Sequence, residues 1–312
     1  MTKIAFVFPG QGSQTVGMGI ELASSSAEDK NYFKTADEAL GFSLSHLIEN
    51  GPQEELTLTY HAQPALLTVG ALIAERLQAA GITPDYTAGH SLGEYTALVA
   101  SGVMSFEDGV TIVHKRGLYM NEAVPAGVGS MAAILGLDAE KIEEITRDIT
   151  ADGDAVQPAN LNCPGQIVIS GTAAGVEKAC EALKEAGARR VIPLDVSGPF
   201  HSSLMEPAAE KLQATLDEVM MQDAKVPVIA NVNAEVVTEQ VKIKQSLVEQ
   251  LYSPVLWEAS VRKLLDEGVT HFVECGPGKV LSGLIKKIDR KANVYAVYDE
   301  QTLNDTVEKL KG

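Results

Sequence analysis

No segment of the 312 residues approaches the roughly 18 uninterrupted apolar residues that a membrane span requires. The apolar stretch near the start, Ile4 to Phe8, is likewise too short for a secretory signal. Cysteine is scarce. Cys163, Cys180 and Cys275 are odd in number, far apart and without a CxxC pair, which argues against a disulfide framework or a zinc site and fits a reducing cytoplasm. Basic residues are in deficit, 25 Lys and Arg against 42 Asp and Glu, for a net charge of −17. A nucleic-acid binder would carry a basic face, so that class is set aside. Any acidic partner would have to be met by a local cluster of Lys or Arg. Internal repeats and low-complexity segments are also missing. What is present is a near-average globular composition, 45% apolar and 21% charged, long enough for one large domain or a domain plus a smaller one.

Short apolar runs alternate with longer helical patterns, which predicts an α/β fold. Ile4–Phe8 reads as a buried strand entering the turn Pro9-Gly10-Gln11-Gly12. Helices are predicted around 17–40 and 62–80, the second ending at Gly81 before Pro84. A strand at Tyr86–Gly89 precedes a helix at Leu92–Ala100, and another helix spans about Phe106–Ala123. From Val124 to Gly198 the predicted order is β-α-β-β-α-β, the split pattern of a ferredoxin-like unit. Its strands are expected near 130–137, 156–162, 166–170 and 189–194. Pro125 and Gly127 on entry and Gly198 and Pro199 on exit are candidate hinges. The expected division is a large α/β domain of residues 1–124 and 199–312 interrupted by a small subdomain of 125–198. Later strands are expected near 228–231, 271–275 and 293–297.

Gly89-His90-Ser91-Leu92-Gly93 places a serine between glycines after a strand and before a helix, the arrangement of a nucleophile elbow. Glycines permit the tight turn, and the helix N-terminus supplies unpaired N–H groups for an oxyanion. The plainer alternative is a glycine-rich turn with a capping serine. A serine nucleophile needs a base. His271 opens a strand, so it belongs at the sheet edge opposite Ser91. His90 is a sequence neighbour pointing elsewhere, better suited to a pocket wall. His46, His61 and His114 have no distinguishing context. His201, in the loop Ser197-Gly198-Pro199-Phe200-His201-Ser202-Ser203, can be aimed into a cleft and is the remaining candidate.

Gly10-Gln11-Gly12-Ser13-Gln14 lacks the third glycine of a dinucleotide fingerprint, and Met18 stands where a P-loop needs lysine. Gly276-Pro277-Gly278-Lys279 is not followed by Ser or Thr, so nucleotide hydrolysis is unsupported. Gln11 can still offer a backbone N–H at the strand edge that Ser91 occupies. Arg116 sits among Leu118, Tyr119 and Met120, with Met120 one turn on and on the same face. A half-buried guanidinium needs an anion, and its fork suits a carboxylate. From the residues alone, an internal salt bridge is the simpler expectation.

Together the runs FPGQGSQ (Phe8–Gln14), GHSLGEYTAL (Gly89–Leu98), KRGLYM (Lys115–Met120), NCPGQIVISG (Asn162–Gly171), GPFHSSLM (Gly198–Met205) and ECGPG (Glu274–Gly278) resemble the malonyl-CoA:acyl-carrier-protein transacylase family of bacterial fatty-acid synthesis, over nearly the whole chain. The resemblance implies a hydrolase-like core with a mostly parallel sheet flanked by helices, plus an inserted ferredoxin-like subdomain. It implies Ser91 as acyl acceptor, His201 as base, and the N–H groups of Gln11 and Leu92 as oxyanion hole. Arg116 would pair with the malonyl carboxylate, with His90, Met120 and Phe200 about the acyl group. The Gln250 carbonyl would orient the histidine, and Asn160 and Asn162 would serve the coenzyme A or pantetheine arm. Asp195 lies near His201 in sequence, yet nothing marks it as a triad acid, so a dyad is preferred. The implied substrates are malonyl-CoA and a phosphopantetheinylated acyl carrier protein, with no cofactor or metal. Neither nucleic acid nor membrane is an expected partner, and a cytoplasmic monomer is expected. Arg189 with Arg190 and Lys286 with Lys287 are the clearest basic pairs for carrier docking.

Two other classes compete. A thioesterase or lipase would share the elbow but usually carries a late histidine, and none follows His271. A non-catalytic docking factor would have no use for Ser91, His201 and Arg116 together. Another relative is an excised polyketide acyltransferase domain, but flanking linkers are not evident.

Overall fold

The computed structural model describes residues 2–312. Among the described residues, ten strands form two sheets. The larger contains β1 (Ile4–Phe8), β2 (Tyr86–Gly89), β7 (Val228–Ile229), β8 (Val236–Val237), β9 (His271–Cys275) and β10 (Asn293–Val297), in the order β10-β9-β1-β2-β7-β8. All its pairings are parallel except β7 with β8. Central β1 is covered on both faces, which is why Ala5 to Phe8 reads as a continuous apolar run. The two-residue β8 escapes sequence patterning because a run that short has no period to detect.

Parallel strands align their C-terminal ends, and the His90 N–H donates to the Phe8 carbonyl at 3.0 Å. The turn after β1 and the serine turn after β2 therefore lie side by side. His271, paired with Ile4, lies at the opposite edge.

The expected helix at 17–40 is instead two. Ile20–Ala23 ends where the Ser24 and Ser25 hydroxyls donate to the Ile20 and Glu21 carbonyls. Ser26 then caps Ala27–Leu40 by accepting from the Asp29 N–H. The second expected helix begins earlier, at Thr59, and runs to Ala79 through Pro64. Pro64 cannot donate to the Tyr60 carbonyl four residues back. His114 Nδ1 donates to that carbonyl instead, at 2.7 Å, from the adjacent helix Phe106–Glu122. These two helices pack so closely at Gly117 that a Cβ there would come within 2.5 Å of the Tyr60 Cα. That contact brings Arg116 beside Gln63.

The smaller sheet is antiparallel, in the order β4-β5-β3-β6, with β3 (Gly129–Leu135), β4 (Val156–Cys163), β5 (Gln166–Thr172) and β6 (Arg190–Pro193). With the helices Ala139–Ala151 and Ala173–Glu185 it follows the βαββαβ order. Alternation divides its faces. Ala132, Ile134, Ile167 and Ile169 pack on the two helices, whereas Met131 and Val168 join the core on the side of the larger sheet. Edge strand β4 is tied to the larger unit by Leu161 N–H to the Val255 carbonyl and Val255 N–H to the Ala159 carbonyl, at 2.9 and 2.8 Å.

Candidate active site

Ser91 has φ 52° and ψ −108°, a conformation costly for a residue with a Cβ. Its flanking glycines are sterically required. A Cβ on Gly89 would lie 1.9 Å from the Gly93 carbonyl carbon, and one on Gly93 would lie 2.0 Å from the Phe8 carbonyl oxygen. The turn is therefore pressed against both its own helix and β1. Ser91 precedes the helix Leu92–Ala100 but makes no side-chain capping bond, so the plainer reading of a capping serine is not what forms. Its Oγ is left for other partners.

Those partners come from elsewhere in the chain. Ser91 Oγ lies 2.7 Å from His201 Nε2, and His201 Nδ1 lies 2.8 Å from the Gln250 carbonyl oxygen. A carbonyl can only accept, so Nδ1 carries the proton and bare Nε2 accepts from the serine. His201 is itself at φ 56°. Burial first, and the Arg116 charge second, lower its pKa to about 3. The imidazole is thus neutral at pH 7. Asp195 is exposed and takes no part in this arrangement.

Arg116 is 1% exposed, and its hydrogen-bond partners are all neutral. Nη1 donates to Gln63 Oε1 at 2.7 Å, and Nη2 donates to Gln250 Oε1 at 2.8 Å and to Ser91 Oγ at 3.2 Å. The Tyr95 ring lies beneath it, 5.3 Å from the guanidinium carbon to the ring centroid. The internal salt bridge that the residues alone suggested does not form: among the described residues no carboxylate oxygen comes within 4.0 Å of it. Nε has no partner among the described residues. Burial pulls its pKa down from the usual arginine range, while Tyr95 and Glu94 oppose that shift. A buried cation with an unfilled donor can receive an anion.

The surrounding cavity measures about 480 Å³ and is lined by Gln11, His90, Ser91, Leu92, Arg116, Met120, Asn160, Asn162, Phe200 and His201, among others. Asn160 and Asn162 reach it from β4 of the smaller sheet. His90 Nε2 donates to Asn162 Oδ1 at 2.8 Å, closing a contact between the units. Among the described residues, neither the Gln11 nor the Leu92 N–H is taken up by an acceptor. Gln250 alone does not line the cavity; it meets His201 from behind, through its carbonyl.

Sequence reading missed three residues. Gln63 holds Arg116 and donates to Met120 Sδ at 3.4 Å. Asn231 accepts from the Ser91 N–H. Glu94, 2% exposed, accepts from Gln250 Nε2 at 2.7 Å, and burial pushes its pKa up to about 7. A glutamate among Tyr95, Ala97 and Leu98 on a short apolar helix was a legible signal for the last. Gln63 and Asn231 carry no such mark. The side chain of Gln250 was missed as well. It donates to the Ser91 carbonyl at 3.0 Å and accepts from Arg116, besides supplying the carbonyl to His201.

The acyl transferase domain family matches residues 5–299. The chain is similar to the malonyl CoA-acyl carrier protein transacylase of Bacillus subtilis strain 168, with 60% identity over 311 residues, covering 100% of this chain and 98% of that protein. Its structure is similar to that of an acyl carrier protein S-malonyltransferase from Vibrio cholerae, with a TM-score of 0.95, 46% identity, and coverage of 98% of this chain and 100% of that one. It is also similar to a malonyl-transacylase solved in complex with its type II PKS acyl-carrier protein, with a TM-score of 0.96, 42% identity, and coverage of 99% and 100%.

Proposed function

The chain belongs to the acyl transferase domain family, and on that premise we propose that it carries malonyl from malonyl-CoA to the pantetheine thiol of an acyl carrier protein, through an ester on Ser91, supplying malonyl units for fatty-acid synthesis. The names of its relatives support the substrate pair. The observation that carries the choice of acyl group in this chain is Arg116, a buried guanidinium with neutral partners 3.2 Å from Ser91 Oγ. Acetyl would leave that charge without a counter-ion, whereas malonyl brings one.

In the proposed first half-reaction, His201 Nε2 takes the Ser91 hydroxyl proton as Oγ attacks the thioester carbonyl carbon. The carbonyl oxygen gains negative charge between the Gln11 and Leu92 N–H groups. Collapse breaks the C–S bond, and His201 returns the proton to the departing thiolate. In the second half, His201 takes the proton of the carrier's pantetheine thiol. The thiolate attacks the ester carbonyl, and Ser91 Oγ leaves and recovers the proton. The Gln250 carbonyl fixes the histidine tautomer, the task a triad carboxylate performs elsewhere. These steps use only side chains and backbone of the chain, with no cofactor.

His90, Met120 and Phe200 are proposed to wall the acyl pocket, and Asn160 and Asn162 to guide the pantetheine arm. The latter two belong to the unit we delimit as residues 125–198, so the arm would enter between the two units. Mass spectrometry after incubation with malonyl-CoA tests the reading. A malonyl adduct on Ser91 that passes to holo carrier protein is expected. Rapid release of free malonate would mean a hydrolase, and no adduct would mean a docking protein.

A further inference from the structure

The strain at Ser91 has to be held by something, since φ 52° is not a conformation a serine keeps unaided. Its own helix contributes the Glu94 N–H on the Ser91 carbonyl, at 3.1 Å. The other restraints come from distant parts of the chain. Asn231, just beyond β7 and fully buried, spans the elbow with one amide group: Oδ1 accepts from the Ser91 N–H at 2.8 Å, and Nδ2 donates to the Gly89 carbonyl at 2.7 Å. The two bonds fix which amide atom faces which way, because one neighbour can only donate and the other only accept.

Asn231 is itself immobilised. Its N–H donates to Glu94 Oε2 at 3.3 Å, and its carbonyl accepts from the Leu256 N–H at 3.0 Å. Gln250 Nε2 lies 3.3 Å from Asn231 Oδ1. Every polar group of this residue is therefore engaged, and its side chain faces the backbone on both sides of Ser91 rather than the cavity.

We propose that Asn231 is the positioning residue of the elbow: it holds the Ser91 backbone so that Oγ stays on His201 Nε2, without touching substrate. The inference rests on Ser91 being the acyl acceptor. It is separable from the Arg116 assignment, because a displaced Oγ slows attack on any thioester, whatever acyl group is bound. Misplacement of a nucleophile by about 1 Å is enough for a rate loss of about 100-fold.

Asn231→Leu keeps the number and branching of the side-chain heavy atoms and removes both bonds. Asn231→Asp keeps the acceptor toward Ser91 N–H but turns a carboxylate oxygen on the Gly89 carbonyl. Protonated, that carboxyl regains a donor and again matches the amide. The experiment measures single-turnover acylation of Ser91 by malonyl-CoA and acetyl-CoA from pH 5.5 to 8.5, with malonyl-CoA affinity read separately in a Ser91→Ala background. We expect about a 100-fold loss with both thioesters in Asn231→Leu, a malonyl-to-acetyl ratio within twofold of wild type, and unchanged affinity. Asn231→Asp should be slow at pH 8.5 and recover relative to wild type as the pH falls. Acylation at the wild-type rate in both variants would overturn the proposal, as would a loss matched by lost affinity or a changed acyl ratio. Failure of wild type to label at Ser91 would instead overturn the underlying reading. If Asn231→Leu does not fold, the pH recovery of Asn231→Asp still decides, and a flat ratio to wild type counts against the proposal.

Discussion

Arg116 Nη2 lies 3.2 Å from Ser91 Oγ, so the cation proposed to select the acyl group also touches the atom proposed to carry it. Selection and chemistry are therefore not separate regions of the pocket. The same charge depresses the basicity of His201, which ties the acyl group to the proton transfer.

Arg116→Ala should cost malonyl transfer at least about 100-fold, the loss expected when a buried charged hydrogen bond is removed, or about 3 kcal/mol. Acetyl transfer should be unchanged or faster, because the vacated site no longer leaves a buried cation unpaired. Initial rates with the two coenzyme A esters check this, and equal losses would remove Arg116 from the specificity role.

The same variant should alter pH dependence. The charge on Arg116 disfavours a proton on His201, so the acid limb of acetyl transfer should lie at higher pH in Arg116→Ala than in wild type. Acylation rates with acetyl-CoA between pH 4 and 7 measure the displacement. Coincident limbs would mean that burial alone sets the histidine.

Glu94 makes a prediction about stability. Burial raises its pKa from 4.5 to about 7, so the folded state favours the protonated form. Its contribution is fully present below about pH 4.5 and is lost as the pH rises toward 7, by about 3 kcal/mol. Glu94→Gln can keep the acceptor for Gln250 and Asn231 without the charge. Its melting temperature relative to wild type should therefore climb between pH 4.5 and 7, and a pH-independent difference would contradict the assignment.

Gly93→Ala should be among the most damaging small substitutions in the chain. The added Cβ would meet the Phe8 carbonyl at 2.0 Å, and neither the helix nor β1 can withdraw cheaply. A destabilisation of at least about 3 kcal/mol is expected, read by denaturant titration.

For carrier docking, Lys287→Glu is a cleaner test than Lys286→Glu. Lys286 Nζ donates to the Arg290 and Ala292 carbonyls at the end of its helix, so its loss also disturbs structure. Lys287 is exposed, and its Nζ donates at 3.4 Å to Gln166 Oε1, on a residue of the cavity wall. Its reversal should lower carrier-protein kcat/KM by about 10-fold at low salt, with the deficit shrinking as salt is added. Transfer to free pantetheine should be unaffected.

Local signals in the sequence determined the architecture and the elbow. The five-residue apolar run Ile4–Phe8, closed by a glycine turn, reads as a covered strand, and the glycines two positions either side of Ser91 mark a tight turn. The near-continuous apolar stretches of β3 and β5, Met131–Leu135 and Ile167–Ile169, likewise fit a sheet covered on both faces. The partners of Ser91 were legible only in part. His201 stood out by elimination and by its loop, and the resemblance brought in Gln250. The fate of Arg116 was decided by tertiary structure, because sequence cannot say which side chains reach a buried guanidinium; three neutral groups do, and no carboxylate. Asn231 and Gln63 were invisible for the same reason. Each is an ordinary amide in its own segment, and its role exists only where β7 meets the elbow or where two helices touch at Gly117. Local patterning carries the strand, the turn and the helix, whereas the strained serine is held by bonds spanning more than a hundred residues, which only the folded chain brings together.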